Sequence, residues 1–175
     1  VSTNLAARGV AVVGLSSRSW LTSGPDKSLA LLTRDSEAAL RWYLEHWHKD
    51  KIVLLGYSRG AGFQALLYEK LPPDLRDRVI GMGLLGAEHT ASFEFHLIDL
   101  VKTTNRPTDI AIKPALDRLT GPRLVCVYGT TESDTVCPEL DARRASVVRR
   151  TGDHHFDRNY PAITNDLLVG FGLAK

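Results

Sequence analysis

Short apolar, β-branched runs alternate along this chain with segments of helical spacing. Val10 to Leu15, Ile52 to Leu55, Val79 to Leu85, Arg123 to Tyr128 and Ala145 to Val148 read as strands, and near-continuous apolar runs of this length suit strands buried on both faces. A long helix is predicted from about Lys27 to Trp47, with Leu40, Tyr43, Leu44 and Trp47 forming a core-facing stripe. A second runs from about Ala61 to Leu71 and stops at Pro72-Pro73, and a last one from about Pro161 toward Leu173. Leu5-Ala6-Ala7-Arg8-Gly9 has the form of a helix end with a glycine stop. The order βαβαβ…βαβα predicts an α/β fold with an open, mostly parallel sheet of about five or more strands and helices on both faces.

Gly86 to Pro122 breaks that rhythm. It is longer than a usual connection and holds Phe93, Phe95, Leu97, Ile98 and Leu100 in an amphipathic patch. A lid-like insertion over a binding site and a helix packed on the sheet edge both fit.

The 175 residues suffice for one domain spanning 1–175 and are few for two. The net charge is +2 with acidic and basic residues interspersed, so the short runs Arg76-Asp77-Arg78 and Arg143-Arg144 read as solvated faces, and direct nucleic-acid binding is not expected. Nowhere does the chain reach the roughly 18 consecutive apolar residues a membrane helix needs. Cys126, in an apolar run, and Cys137, in the loop after it, are the only cysteines. A disulfide and a pair of free thiols are equally compatible with that spacing.

The candidate chemistry lies in Gly56-Tyr57-Ser58-Arg59-Gly60, which directly follows one apolar run and directly precedes a helical pattern. Strand, Ser turn and helix together form a nucleophile elbow, which lifts the hydroxyl clear of the sheet edge. A Ser hydroxyl is a weak nucleophile until a His accepts its proton and a carboxylate orients that His. Both follow in the order of an α/β-hydrolase: Thr130-Thr131-Glu132-Ser133-Asp134 after one strand, and Gly152-Asp153-His154-His155-Phe156 after the next. Asp134 is favoured as the acid because it lies deeper in its loop, with Glu132 as alternate. His155 is favoured as the base because it follows Gly152 by three residues and precedes an aromatic, with His154 as alternate.

The backbone N–H of Arg59 would be one oxyanion donor, and the second is expected from a loop that would precede Val1. A metal reading of His154, His155, Asp153 and Asp157 is weak, because adjacent histidines in a tight loop rarely share an ion; neither metal nor cofactor is expected. His89 and His96 read as easily as surface residues.

Gly56 to Ala61, Leu71-Pro72-Pro73, Leu84-Leu85-Gly86, Phe93-Glu94-Phe95-His96, Cys126 to Gly129, Asp134 through Cys137-Pro138, and His154 to Asp157 together resemble the bacterial virulence proteins of the VirJ/AcvB type, from about Gly9 to the C-terminus. The resemblance implies an α/β-hydrolase fold, a periplasmic and disulfide-permissive setting for the two cysteines, and a nucleophile at Ser58 served by Asp134 and a His of the pair. AcvB members are linked to hydrolysis of lysyl-phosphatidylglycerol, and VirJ members to DNA-transfer secretion machinery. The resemblance therefore implies an ester or aminoacyl-lipid substrate, contact with a membrane surface, and secretion-system proteins as partners. In that reading Tyr57, Phe93, Glu94 and Phe95 line the substrate site. Glu94 or Glu88 would pair with a lysyl ammonium, while Phe93, Phe95 and Leu97 would meet the lipid.

Two departures stand out. Arg59 takes a position the family usually gives to Phe, and the family's Gly-rich segment ending in Gly-Gly-Trp does not precede the helix leading to Gly9. A catalytically weak binding or secretion-partner protein of the same fold, and an acyltransferase using the same triad, are the competing expectations.

Overall fold

A computed structural model describes residues 1–24, 27–94 and 107–174. Four strands, β1 (Ile52–Tyr57), β2 (Val79–Leu85), β5 (Arg123–Gly129) and β6 (Ala145–Arg150), pair in the order β1-β2-β5-β6, and every pairing is parallel. Each coincides with a predicted apolar run, β2 with the same bounds and the other three extended by one or two residues at the C-terminal end. Parallel strands need long crossovers, and helices supply them.

Helix α3 (Leu29–His46) is started by Ser28, whose side chain accepts from the Leu31 N–H at 3.2 Å. Helix α4 (Arg59–Lys70) ends before Pro72, and α7 (Tyr160–Phe171) is capped by Asn159 and stopped by Gly172 at φ 69°. α3, α4 and α6 (Lys113–Arg118) cover one face of the sheet, over a core that includes Phe63, Leu67, Met82, Leu84 and Leu116. α7 covers the other with Ile163, Leu167 and Phe171 against Val125 and Val127, and α1 (Ser2–Ala7) packs on α7. The remaining helices, α2 (Ser17–Thr22) and α5 (Pro73–Arg76), are short.

One predicted strand is not in a sheet. Val10 to Leu15 forms no ladder with any described residue, and Val13 and Leu15 are 37% and 68% exposed. Its composition favours a strand, but a strand also needs a neighbour to take its N–H and C=O groups, and among the described residues β1 pairs only with β2.

The long connection after β2 holds a two-stranded antiparallel ribbon, β3 (Thr90–Ala91) with β4 (Ile110–Ala111), followed by α6. Ala115 and Leu116 of α6 are buried, and Arg118 pairs with Glu69 of α4 at 2.7 Å. This part of the insertion therefore packs against the body of the fold. Phe95, His96, Leu97, Ile98 and Leu100 lie outside the described residues.

Candidate active site

β1 delivers the chain to Ser58 and α4 takes it away. Ser58 has φ 54° and ψ −129°, a conformation that non-glycine residues avoid at a cost of about 1–3 kcal/mol. Two hydrogen bonds hold it there: its N–H donates to the Leu85 carbonyl at 2.8 Å, and its carbonyl accepts from the Ala61 N–H at 2.8 Å. The first continues the β1–β2 ladder and the second opens α4, so strand and helix meet at one strained residue. So sharp a turn brings Gly56 onto Gly60. A Cβ on Gly56 would strike the Gly60 carbonyl, which explains the first glycine of the motif. Ser58 Oγ makes no hydrogen bond to any described residue.

The two partner loops rise from the same carboxyl edge of the sheet. Glu132 lies three residues beyond the end of β5, its side chain 7% exposed, and its Oε2 accepts the Gly129 N–H at 2.5 Å. Its other oxygen, Oε1, meets His154 Nδ1 at 2.5 Å. His154 comes from the loop after β6, at the far edge of the sheet from β1. To approach the elbow that loop must fold back over the ends of β5 and β2, and both places carry glycine. A Cβ on Gly86 would lie 2.6 Å from His154 Cε1 and 3.0 Å from Glu132 Oε1, and one on Gly129 would collide with the Asp153 carbonyl.

Tyr57 completes the span. Its ring lies 5.0 Å from that of His154, and its hydroxyl donates to the His154 carbonyl at 3.2 Å and sits 2.8 Å from His155 Nδ1. The residue before Ser58 thus grips the loop that carries both histidines.

These contacts redistribute the partners expected from sequence. Asp134 does not meet His155; its carboxylate pairs with His89, accepting from the ring Nδ1 and from the backbone N–H at 3.3 Å. His89 Nε2 meets Glu139 Oε1 at 2.8 Å. His155 is exposed and pairs with Tyr57, its backbone N–H donating to Asp153 Oδ1 at 2.8 Å. The carboxylate–imidazole pair that lies beside Tyr57 is formed by the two alternates, Glu132 and His154. The physical reason is reach: a carboxylate that also takes the last N–H of β5 must come from the first turn of the loop, whereas Asp134 is carried onward toward Ala87, whose carbonyl accepts the Val136 N–H at 3.0 Å.

Among the residues considered for substrate contact, Phe93 stacks on Phe63 at 4.9 Å, which makes it part of the packing. Glu94 is exposed, and its carbonyl accepts from Arg59 Nη1 at 2.8 Å. Phe95 lies outside the described residues. Cys126 and Cys137 form a disulfide, with both residues fully buried. Sequence reading missed the role of His89, which carries no local motif, and the Tyr57–His155 contact, which joins residues 98 positions apart.

Burial and nearby acidic groups act on both His154 and Tyr57. Hydrogen bonding to Glu132 raises its pKa above the ordinary 6.5, outweighing the opposing effect of burial, and Glu132, Glu88 and Asp153 add negative potential. No hydrogen bond to a described residue engages Nε2, so the ring keeps one nitrogen available. Burial, aided by nearby Glu132 and Asp153, pushes the Tyr57 phenol up to about 12, so it stays protonated as a donor. The Arg59 N–H stands at the first position of α4, where the helix itself provides no acceptor. Among the described residues no group of three or more His, Cys, Asp or Glu is placed to hold a metal ion.

The family model of the bacterial virulence protein VirJ matches residues 1–173. A crystal structure named "Putative hydrolase from Agrobacterium vitis S4" is similar, at 17% identity over 94% of this chain and 79% of that one, with a TM-score of 0.49. No curated protein matches.

Proposed function

We propose that this chain, which belongs to the VirJ family of bacterial virulence proteins, is a serine hydrolase of esters in which Ser58 is the nucleophile, His154 the base and Glu132 the carboxylate that orients it. The observation that carries this reading is the Glu132–His154 pair, with a nearly buried carboxylate on Nδ1 and no described residue hydrogen-bonded to Nε2, packed over Gly86 and beside Tyr57, the residue before a strained Ser on a strand-to-helix turn.

In the first half of the reaction, Ser58 Oγ attacks the acyl carbon while its proton passes to His154 Nε2. Glu132 stabilises the imidazolium through Nδ1–H. Negative charge on the former carbonyl oxygen is met by the Arg59 N–H at the positive end of α4. The imidazolium then protonates the leaving alcohol as its bond to the acyl carbon breaks, which leaves an acyl-Ser58. Water repeats the sequence, with His154 taking its proton, and releases the acid and free Ser58.

For the substrate, an aminoacyl ester on a lipid head group fits the family resemblance. The acidic surroundings of His154, with Glu88, Glu132 and Asp153 acting on it, support a cationic acyl group. A disulfide between Cys126 and Cys137 fits an oxidising compartment such as the periplasm. No helix among the described residues is long and apolar enough to cross a membrane.

One observation favours a second reading, a binding or secretion-partner module with weak catalysis: Ser58 Oγ has no hydrogen bond to either histidine. Unliganded catalytic sites are often loose, so this alone does not displace the hydrolase. Labelling with a fluorophosphonate separates the two. Covalent modification at Ser58, lost in Ser58→Ala, His154→Asn and Glu132→Gln, is expected of the hydrolase. A folded protein whose Ser58 is inert selects the binding module.

A further inference from the structure

His89 is an imidazole with a carboxylate on each ring nitrogen. Asp134 faces Nδ1 and Glu139 faces Nε2, and these are the two titratable groups whose charge acts on it. A neutral ring donates from one nitrogen only and would turn a lone pair toward the other carboxylate. Both contacts are satisfied together only by the imidazolium. The carboxylates lie on opposite sides of the ring, so the three groups do not converge on a point where an ion could sit. The arrangement is a cationic clip.

What it clips is the loop that carries Glu132. That loop leaves β5 after Gly129 and is fixed on one side to the end of β6, through Thr130 N–H to the Arg150 carbonyl at 2.8 Å, and to the histidine loop, through Thr131 N–H to the Gly152 carbonyl at 3.1 Å. It ends at Cys137, which the disulfide anchors to Cys126 in β5. Asp134 and Glu139 stand on either side of Cys137, and His89 bridges them. His89 is itself tied down, because its carbonyl accepts the Ile112 N–H at 3.0 Å, at the end of β4. The insertion and the acid loop are therefore joined through the His89 side chain, beside the backbone bond from the Val136 N–H to the Ala87 carbonyl at 3.0 Å.

We propose that His89 is a positioning residue, clamped between Asp134 and Glu139 so that it holds the Glu132 loop in place and acts on His154 through Glu132. It touches no reacting atom. The effect on turnover rests on the hydrolase reading above, whereas the mechanical effect on the loop does not.

The test compares the full chain with His89→Asn and with the double variant Asp134→Asn/Glu139→Gln, which keeps the imidazole and removes its partners. Hydrogen exchange of amides 131–136, NMR titration of the His89 ring, and the pH dependence of Ser58 labelling by a fluorophosphonate are measured on each. Faster exchange at 131–136 in both variants is expected, with labelling slowed about fivefold and its pH midpoint moved toward that of an ordinary histidine as Glu132 loosens. In the wild type the His89 ring titrates above the ordinary range, and in the double variant it does not. Unchanged exchange at 131–136, or a wild-type His89 that titrates like a free histidine, overturns the clip. Exchange that responds while wild-type Ser58 is inert to the probe supports the clip and overturns the hydrolase.

Discussion

Two imidazoles among the described residues sit against carboxylates, and the roles proposed for them are opposite. His154 has one carboxylate, nearly buried, on Nδ1, and no described residue hydrogen-bonds to Nε2. His89 has carboxylates on both nitrogens, each 40–49% exposed, and so has no nitrogen left for chemistry. The presence of a His–carboxylate pair therefore does not mark a base. What distinguishes one is the second nitrogen, together with enough burial of the first contact to give it weight. The protonation demands of the two proposed roles differ in the same way: as a base His154 would have to lose its proton, and as a clip His89 would have to keep its own.

The largest expected difference comes from removing the carboxylate of each pair. Glu132→Gln keeps the shape but deprives the imidazolium of its counter-charge, and a loss on the order of 10⁴-fold in labelling or ester turnover is predicted. His154→Asn should match it, measured by the rate of acylation at Ser58. Next in size is Gly86→Ala, whose methyl group would lie 2.6 Å from the His154 ring at a backbone φ of 56°. Displacing the base by about 1 Å predicts a loss of about 100-fold in rate. The fold should survive, as circular dichroism would check.

The two pairs also predict opposite responses to pH. Labelling of Ser58 should rise as His154 loses its proton, with a midpoint above the 6.5 of an unperturbed histidine, and Glu132→Gln should lower that midpoint. The His89 clip runs the other way. Its pKa is raised in the folded state, chiefly by hydrogen bonding to Asp134 and then to Glu139, so its contribution to stability is complete below the unfolded value and fades as pH rises through the folded one. For groups this exposed the change is at most about 1 kcal/mol, detectable as a shallow alkaline decline in melting temperature that flattens in His89→Asn. The smallest effect belongs to Asp134→Asn. Loss of an exposed pair corresponds to about fivefold in rate at most, far from the collapse expected of a catalytic acid.

The contrast also explains which features can be read from sequence. The four strands of the sheet are continuous apolar runs with helices between them, and Ile52, Val79, Arg123 and Ala145 begin strands as expected. The elbow is local as well, five residues whose steric demands are met by their own neighbours. The choice of acid and base is not local. Glu132 and Asp134 differ by two positions, and which one turns back toward His154 depends on the Gly129 N–H, the Ala87 carbonyl and the disulfide, all set by the tertiary fold. The depth of Asp134 in its loop, the ground for preferring it, is what carries it away from the histidine loop and onto His89. Val10 to Leu15 teaches the same lesson in the sheet: apolar alternation states a preference, and a neighbouring strand decides whether it is realised.

The most direct test labels Ser58 with a fluorophosphonate in wild type, Glu132→Gln and Asp134→Asn side by side, with folding of each confirmed by its melting curve. The account predicts fast labelling of the wild type, labelling within about fivefold in Asp134→Asn, and near-complete loss in Glu132→Gln. Loss in Asp134→Asn with retention in Glu132→Gln would contradict it.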